Sequence, residues 1–511
     1  MTAQQRTRIY LRIHAASHEA LTAAKLAMWN GPIPSISDEL YISLTDWYSV
    51  CHLVNGDRHI DFYYLHEKYD IYSMNANVKR SQVYASTAHF FGGTPSSNTT
   101  PDIKEHTFRR KVNVRALNPV NIKSMKEQIL KNVRYFRENL VDGNRDDWSP
   151  PHDMSHQLML PDTRHDMDKP VGYLISDVMG NITFSKSFEL QKKPDNRDIL
   201  TSLPQAVAGI HLVTCLRSSH SDSIKILFRN LIAGISRFTG LSASTFQWRF
   251  AQENCNNFFF ALLQARDDKT GQGFSTDQLV SEAGLLTIAR SDITVTATTA
   301  IFFYLSHYPS FSSVEDIRIG AQLASCQYLL ACIEESLRLS PPVDSTLMRE
   351  VLPGGLTVDG EWYPPGTDIA VPHYALHHDE RYVAKPFVFK PQRWISKDSS
   401  VAIDVGLSLE ATEERQNWDS SSLESIATSA FTAFGVGRTS CFGKYLAYQE
   451  SSLVVAQTIW LFDMRTEPES TLGEGSEKLG ARRERPKEFQ TWDRFVSMHD
   501  GPMLQFKRRK I

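Results

Sequence analysis

No run of about 20 apolar residues, the length that spans a bilayer as a helix, opens this 511-residue chain, whose first 30 residues are broken by Arg6, Arg8, Arg12, His14, His18, Glu19 and Lys25. Neither a transmembrane anchor nor a signal peptide is expected, and residues 1–30 read as a segment outside the main body. Cysteine is scarce too. The six, Cys51, Cys215, Cys255, Cys326, Cys332 and Cys441, are too few for a disulfide framework and form no C-x-x-C pair, which points to a reducing compartment. An excess of one charge is also missing: 55 basic against 58 acidic side chains leave −3, so no nucleic-acid or polybasic membrane partner is indicated. Internal repeats are absent, and the 41% hydrophobic content excludes a disordered or collagenous chain. Asn98-Thr99-Thr100 and Asn181-Ile182-Thr183 match the glycosylation pattern, which carries no meaning without a signal sequence.

What is present is mostly helical pattern. Ile122 to Leu140 sets Ile, Met, Leu, Val and Tyr at helical spacing among Lys, Arg and Glu, and Thr276 to Leu305 predicts a long, increasingly apolar helix. Strand signals are fewer. Leu356-Thr357-Val358 and Glu361-Trp362-Tyr363, bounded by Gly354-Gly355 and joined by Asp359-Gly360, predict a small hairpin. The expected fold class is mainly α with a small β-sheet subdomain.

The most specific segment is Phe434-Gly435-Val436-Gly437-Arg438-Thr439-Ser440-Cys441-Phe442-Gly443-Lys444, followed by helix-forming residues. It places Cys441 in a glycine-rich turn that opens a helix, where amide dipoles and the nearby Arg438 and Lys444 favour thiolate over thiol. Such a thiolate could ligate iron, the glycines let backbone lie against a flat ligand, and Arg438 could meet a carboxylate of that ligand. The bland alternative is a buried core cysteine. The string Phe434-Gly435-x-Gly437-Arg438-x-x-Cys441-x-Gly443 resembles the haem-binding loop of the cytochrome P450 family. The resemblance implies haem b (heme) with Cys441 as its proximal metal ligand, a family type in which thiolate ligation favours O–O cleavage.

Upstream, Glu335 and Arg338 share a face of the helix that Pro341-Pro342 stops. Alone, such a pair is a surface contact. The resemblance supplies Arg393, followed by Trp394, as a third member and implies a structural role for all three: holding the core beneath the cysteine loop. The stretch Arg349-Glu350-Val351-Leu352-Pro353-Gly354-Gly355 through Tyr374-Ala375-Leu376-His377-His378 to Pro391 looks like fungal secondary-metabolism members of the family, and Arg349 matches a position that contacts a haem propionate. His106 and Arg110, four apart, resemble the early helix that offers a ring and an arginine to a propionate; a solvated basic face is the alternative. The clusters Phe184 to Phe188 and Phe258 to Asp267 read as core.

Asp292, alone in an apolar helix, needs a reason, because an unpaired buried carboxylate is costly. It resembles the acid of the family's Ala-Gly-x-Asp-Thr-Thr pattern, which delivers protons to bound oxygen. The chain departs from that pattern: Arg290 stands at the glycine position and Ile293 at the first threonine, so the expected catalytic pair is Asp292 with Thr294, which projects about 100° further round the helix. Pairing of Asp292 with Arg290 is the structural alternative. Three other departures are the short segment between Pro309 and Glu335, the lack of a clear strand pair between Tyr69 and Ala85, and the hinge-like Gly31-Pro32-Ile33-Pro34 with no anchor before it.

The resemblance runs from about Gly31 to Phe506, strongest after Gly271, and implies one haem-thiolate monooxygenase domain over 31–511. The implied reaction inserts one oxygen atom from O₂ into an apolar small molecule, a fungal secondary-metabolite intermediate of terpenoid, polyketide or alkaloid type. Electrons are expected from NADPH through a cytochrome P450 reductase. The alternatives are a reductase-independent haem-thiolate isomerase or peroxide-using enzyme, and a haem-binding relative with impaired turnover. A monomer is expected, in the cytoplasm or at the periphery of the endoplasmic reticulum.

Overall fold

The computed structural model describes residues 52, 55–69, 77–84, 94–117, 119–141, 147–155, 169–194, 197, 207, 258–268, 270–308, 327–344, 346–358, 360–395, 430–480 and 482–510. In chain order the elements are α1 (Arg58–Tyr69), β1 (Val78–Arg80), α2 (Ile103–Ala116), α3 (Pro119–Leu140), β2 (His152–Asp153), α4 (Pro170–Phe184), α5 (Phe258–Gln264), α6 (Thr276–His307) and α7 (Gln327–Leu339). There follow β3 (Arg349–Val351), β4 (Leu356–Val358), β5 (Glu361–Tyr363), β6 (Asp368–Ile369), α8 (His373–His377), α9 (Lys444–Leu461), β7 (Phe462–Thr466), β8 (Trp492–Arg494), β9 (Val496–Met498) and β10 (Met503–Arg508). The mainly helical expectation holds, and the hinge at Gly31 to Pro34 and most of the short segment after Pro309 lie outside the described residues.

Helix α6 organises the molecule. A capping box starts it: the Gln278 amide donates to Ser275 Oγ at 3.3 Å, while Gln278 Oε1 accepts from the Ser275 amide at 2.9 Å. Its 32 residues extend about 48 Å at the usual rise, two residues beyond the span read from apolar spacing. From Ala300 to Leu305 every side chain is buried, including three successive aromatics, Phe302, Phe303 and Tyr304. Each such ring removed from water contributes roughly 1.5–3 kcal/mol. Around α6 pack α4, α7, α9 and β9.

Antiparallel strands flank the helices. One sheet has the order β1-β3-β6 and another β2-β10-β7, while β4–β5 and β8–β9 are two-stranded. The expected hairpin is β4–β5, with Leu356 opposite Tyr363. Gly355 in its approach has φ +73°, and a Cβ there would run into the Trp362 indole, so only glycine fits. Strand β1 lies in the stretch where no strand pair was evident; three residues, Val-Lys-Arg, are too short to show alternation, and their partner β3 is far off in sequence. The two phenylalanine clusters are core, with Phe184, Phe258 and Phe259 all buried.

Candidate functional site

The cysteine loop runs from Phe431 to Gly443 and enters α9 at Lys444. Hydrogen bonds close it on itself: the Gly435 amide donates to Thr432 O at 2.7 Å, the Ser440 amide to Gly437 O at 3.1 Å and the Cys441 amide to Phe434 O at 2.7 Å. Gly435 and Gly437 have φ of +64° and +65°, a region that side chains with a Cβ rarely adopt. Cys441 is exposed at the end of this turn. It is not the buried core cysteine of the bland reading.

Basic side chains from four segments converge on the loop. Arg110, on α2, donates from Nη1 to Ser440 O at 2.5 Å and from Nη2 to Ser440 Oγ at 3.0 Å. Arg349, on β3, donates to Thr439 Oγ1 at 3.2 Å and to the Met348 carbonyl at 2.9 Å. His106, one turn before Arg110, is pushed down to about 4, first by burial and then by Arg80, Arg110, Arg349 and Arg438. These neighbours are all cations. Arg80 carried no motif, yet it stands directly opposite Arg349 in the β1–β3 register. Burial, followed by Arg349, lowers it to about 9. Its Nη2 donates to Asn98 Oδ1 at 3.2 Å, while its buried Nε has no hydrogen-bond partner among the described residues. Like charges opposed across strands are destabilising, so the cluster is built for an anion.

A second group lies at the base of the loop. Glu335, fully buried on α7, accepts from Arg338 Nε and Nη2, Arg393 Nε, the Lys390 amide and Trp394 Nε1, all at 2.9–3.0 Å. Burial pulls its pKa upward, but Arg338, Arg393 and the Lys390 amide more than reverse this and hold it below the ordinary value. Two routes connect this carboxylate to the loop. The Trp394 ring meets Phe431 edge-on at 5.0 Å. Arg338 Nη1 donates to His377 O at 2.9 Å, and His377 Nε2 accepts the Thr432 amide at 2.9 Å. Burial, then His373 and Arg338, push His377 well below its usual pKa, so it is neutral. With Nε2 accepting, Nδ1 carries the proton and donates to Arg338 O at 3.1 Å.

On α6, Asp292 and Thr294 are both buried. Three threonines further along are committed to the protein: Thr296 donates to Ser497 O at 3.1 Å, Thr298 pairs with Ser451 at 3.3 Å and Thr299 donates to Met154 O at 2.8 Å. Thr294 makes no such bond among the described residues, so its hydroxyl is available to another group. The Arg290 side chain lies outside the described residues.

The cytochrome P450 family model matches residues 47–487. The chain belongs to the cytochrome P450 family. It is similar to the cytochrome P450 monooxygenase AKT7 of Alternaria alternata, 31% identical over 94% of each chain. A cytochrome P450 monooxygenase of Gibberella zeae is 30% identical over 86% of this chain and 97% of that one. Among solved structures, a retinoic acid-bound cyanobacterial CYP120A1 matches with a TM-score of 0.60 at 18% identity, covering 87% of this chain and 88% of that one, which shows the P450 fold. The chain is a haem-thiolate monooxygenase, supplied with electrons from NADPH through a reductase and acting on a small molecule.

The residues of this P450 fit its cofactor. An exposed thiol on a glycine turn offers a soft ligand, and a cluster of guanidiniums in which cations dominate the charges acting on His106 offers partners for two propionates. Arg110 and Arg349 are brought to the cysteine loop that carries Arg438, and His106 lies within reach of their charges; it was the resemblance that had pointed to these residues. Glu335, Arg338 and Arg393 also come together. The Lys444 ammonium sits 5.5 Å from the Phe434 ring and 5.8 Å from the Tyr448 ring, a cation over aromatic faces. Sequence reasoning missed Arg80 and His377, whose partners are set by tertiary pairing; the only local hint was the histidine pair at 377–378.

Proposed function

We propose that Cys441 is the thiolate ligand of the haem iron and that Arg80, His106, Arg110, Arg349 and Arg438 hold the propionate carboxylates. The observation that carries this reading is the gathering of these five basic residues, drawn from β1, α2, β3 and the cysteine loop, so that the leading charges acting on His106 are all arginines. Glu335, Arg338 and Arg393 brace the loop through Trp394 and His377. Thiolate ligation supplies the electron density that favours O–O cleavage. Thr294 Oγ1 and the Asp292 carboxyl would hold and pass protons toward the bound cofactor. The unspent Thr294 hydroxyl supports its taking the place that Ile293 leaves empty.

The substrate is an apolar small molecule, a fungal secondary-metabolite intermediate of terpenoid, polyketide or alkaloid type. Its support is the similarity to monooxygenases of Alternaria and Gibberella. Residues 31–511 act as one monomeric domain with peripheral membrane contact; no helix among the described residues is long and apolar enough to cross a membrane. The deciding experiment is a reduced carbon-monoxide difference spectrum. Purified protein gives the Soret band of thiolate ligation and Cys441→Ala loses it; persistence of that band in the variant defeats the assignment.

A further inference from the structure

Glu334 and Glu335 are neighbours on α7 but serve different partners. Glu335 holds the arginines and Trp394. Glu334 Oε1 accepts from the Tyr448 hydroxyl of α9 at 3.2 Å. The Tyr448 ring lies against Phe434, centroids 5.3 Å apart, and Lys444, four residues earlier on the same helix face, places its ammonium near both rings. Phe434 O is the acceptor of the Cys441 amide. A continuous chain of contacts therefore runs from α7, through Tyr448 and Phe434, to the backbone of the cysteine itself. Burial raises the pKa of Tyr448, so the phenol keeps its proton and remains the donor. Burial also raises Glu334, against the pull of Tyr448 and Lys444.

We infer that Glu334 and Tyr448 are positioning residues for the proximal ligand: they clamp Phe434, whose carbonyl holds the Cys441 amide, and thereby set how long Cys441 persists as a thiolate ligand. This rests on Cys441 being that ligand. Loss of the clamp frees Phe434 to shift, loosens the turn around sulfur and admits protonation of the thiolate.

The test follows the decay of the thiolate-type Soret band in reduced, carbon monoxide-bound holoprotein, at a temperature well below global unfolding. Tyr448→Phe keeps the ring and removes the hydroxyl; the band decays about tenfold faster. Glu334→Gln keeps an acceptor without its charge, and decay accelerates less. The double variant decays at the rate of Tyr448→Phe alone, because both changes act on one bond. Unfolding midpoints are measured on the same samples. A lowered midpoint with unchanged decay, or additive effects of the two substitutions, overturns the inference. A wild-type holoprotein with no thiolate-type band marks instead the failure of the Cys441 assignment.

Discussion

Arg80 offers a test in which stability and cofactor binding move in opposite directions. Opposite Arg349, it brings a second half-buried guanidinium into β1–β3. Arg80→Met relieves that repulsion, so the apoprotein melts at a higher temperature, while loss of one charge-assisted contact speeds haem release about tenfold or more. Transfer of haem to a scavenger protein and apoprotein melting check the two halves, and Arg80→Lys restores part of the retention. At Thr294, the same logic concerns protons rather than anchoring. Thr294→Ala is expected to lower product formed per NADPH oxidised by about tenfold, with the thiolate-type band unchanged; tight coupling in the variant removes Thr294 from the proton path. Neither residue was equally visible beforehand. Thr294 sits beside Asp292 in a helix whose period is plain from sequence. Arg80 acquires its role only through a register with a strand some 270 residues later, and local pattern does not encode such pairings.

Among the elements, the junction of α2 and α6 centres on one fully buried carboxylate, with Glu105 of α2 adding a second contact to Gln278 of α6 at 3.3 Å. Glu282, fully buried on α6, accepts from the Ser97 amide at 2.5 Å, Ser97 Oγ at 2.9 Å, Arg109 Nη1 at 3.0 Å and Asn113 Nδ2 at 3.2 Å. Arg109 and Asn113 belong to α2, the helix of His106 and Arg110, and Ser281 ties the same region through Thr94 O at 2.8 Å. Removing one partner leaves a buried guanidinium under-compensated, so Glu282→Ala is expected to cost about 3–5 kcal/mol, read as a lower denaturant midpoint. The elements themselves were legible where a local rule governs them: the capping-box helix α6, the Gly-flanked β4–β5 hairpin and α7 ending before Pro341-Pro342. What joins them was not. A glutamate in a helix reads as solvent-facing by default, and only packing shows that Glu282 and Glu335 are both fully buried.

At the scale of the whole molecule, buried histidines set the response to acid. Burial is the leading cause that lowers His59 to about 3 and His373 to about 4, and that drives His377 and His378 well below the usual 6.5. Below pH 6.5 the unfolded chain takes up protons that the folded chain refuses, so stability falls with pH, each histidine contributing roughly 1.4 kcal/mol per pH unit down to its folded pKa. Asp344, raised to about 8 by burial and then by Asp493, acts in the opposite sense between about 4 and 8; Glu334 and Glu488, also raised by burial, act in the same sense as Asp344. The four histidines outnumber these three carboxyl groups and their effect grows as pH falls below 6.5, so the unfolding midpoint drops on going from pH 6.5 to 5.5. A midpoint that rises over that interval contradicts the neutral assignment of His377, on which its hydrogen bond from Thr432 depends. The paired guanidiniums of β1 and β3 have a consequence in the cell. A chain that folds with like charges opposed across two strands is least durable before it is loaded, since whatever binds only the folded form adds about 2.7 kcal/mol at a hundredfold excess over its dissociation constant. Under haem starvation, the abundance of this protein is expected to fall while each surviving molecule works at full rate, making cofactor supply a control on dosage rather than on turnover.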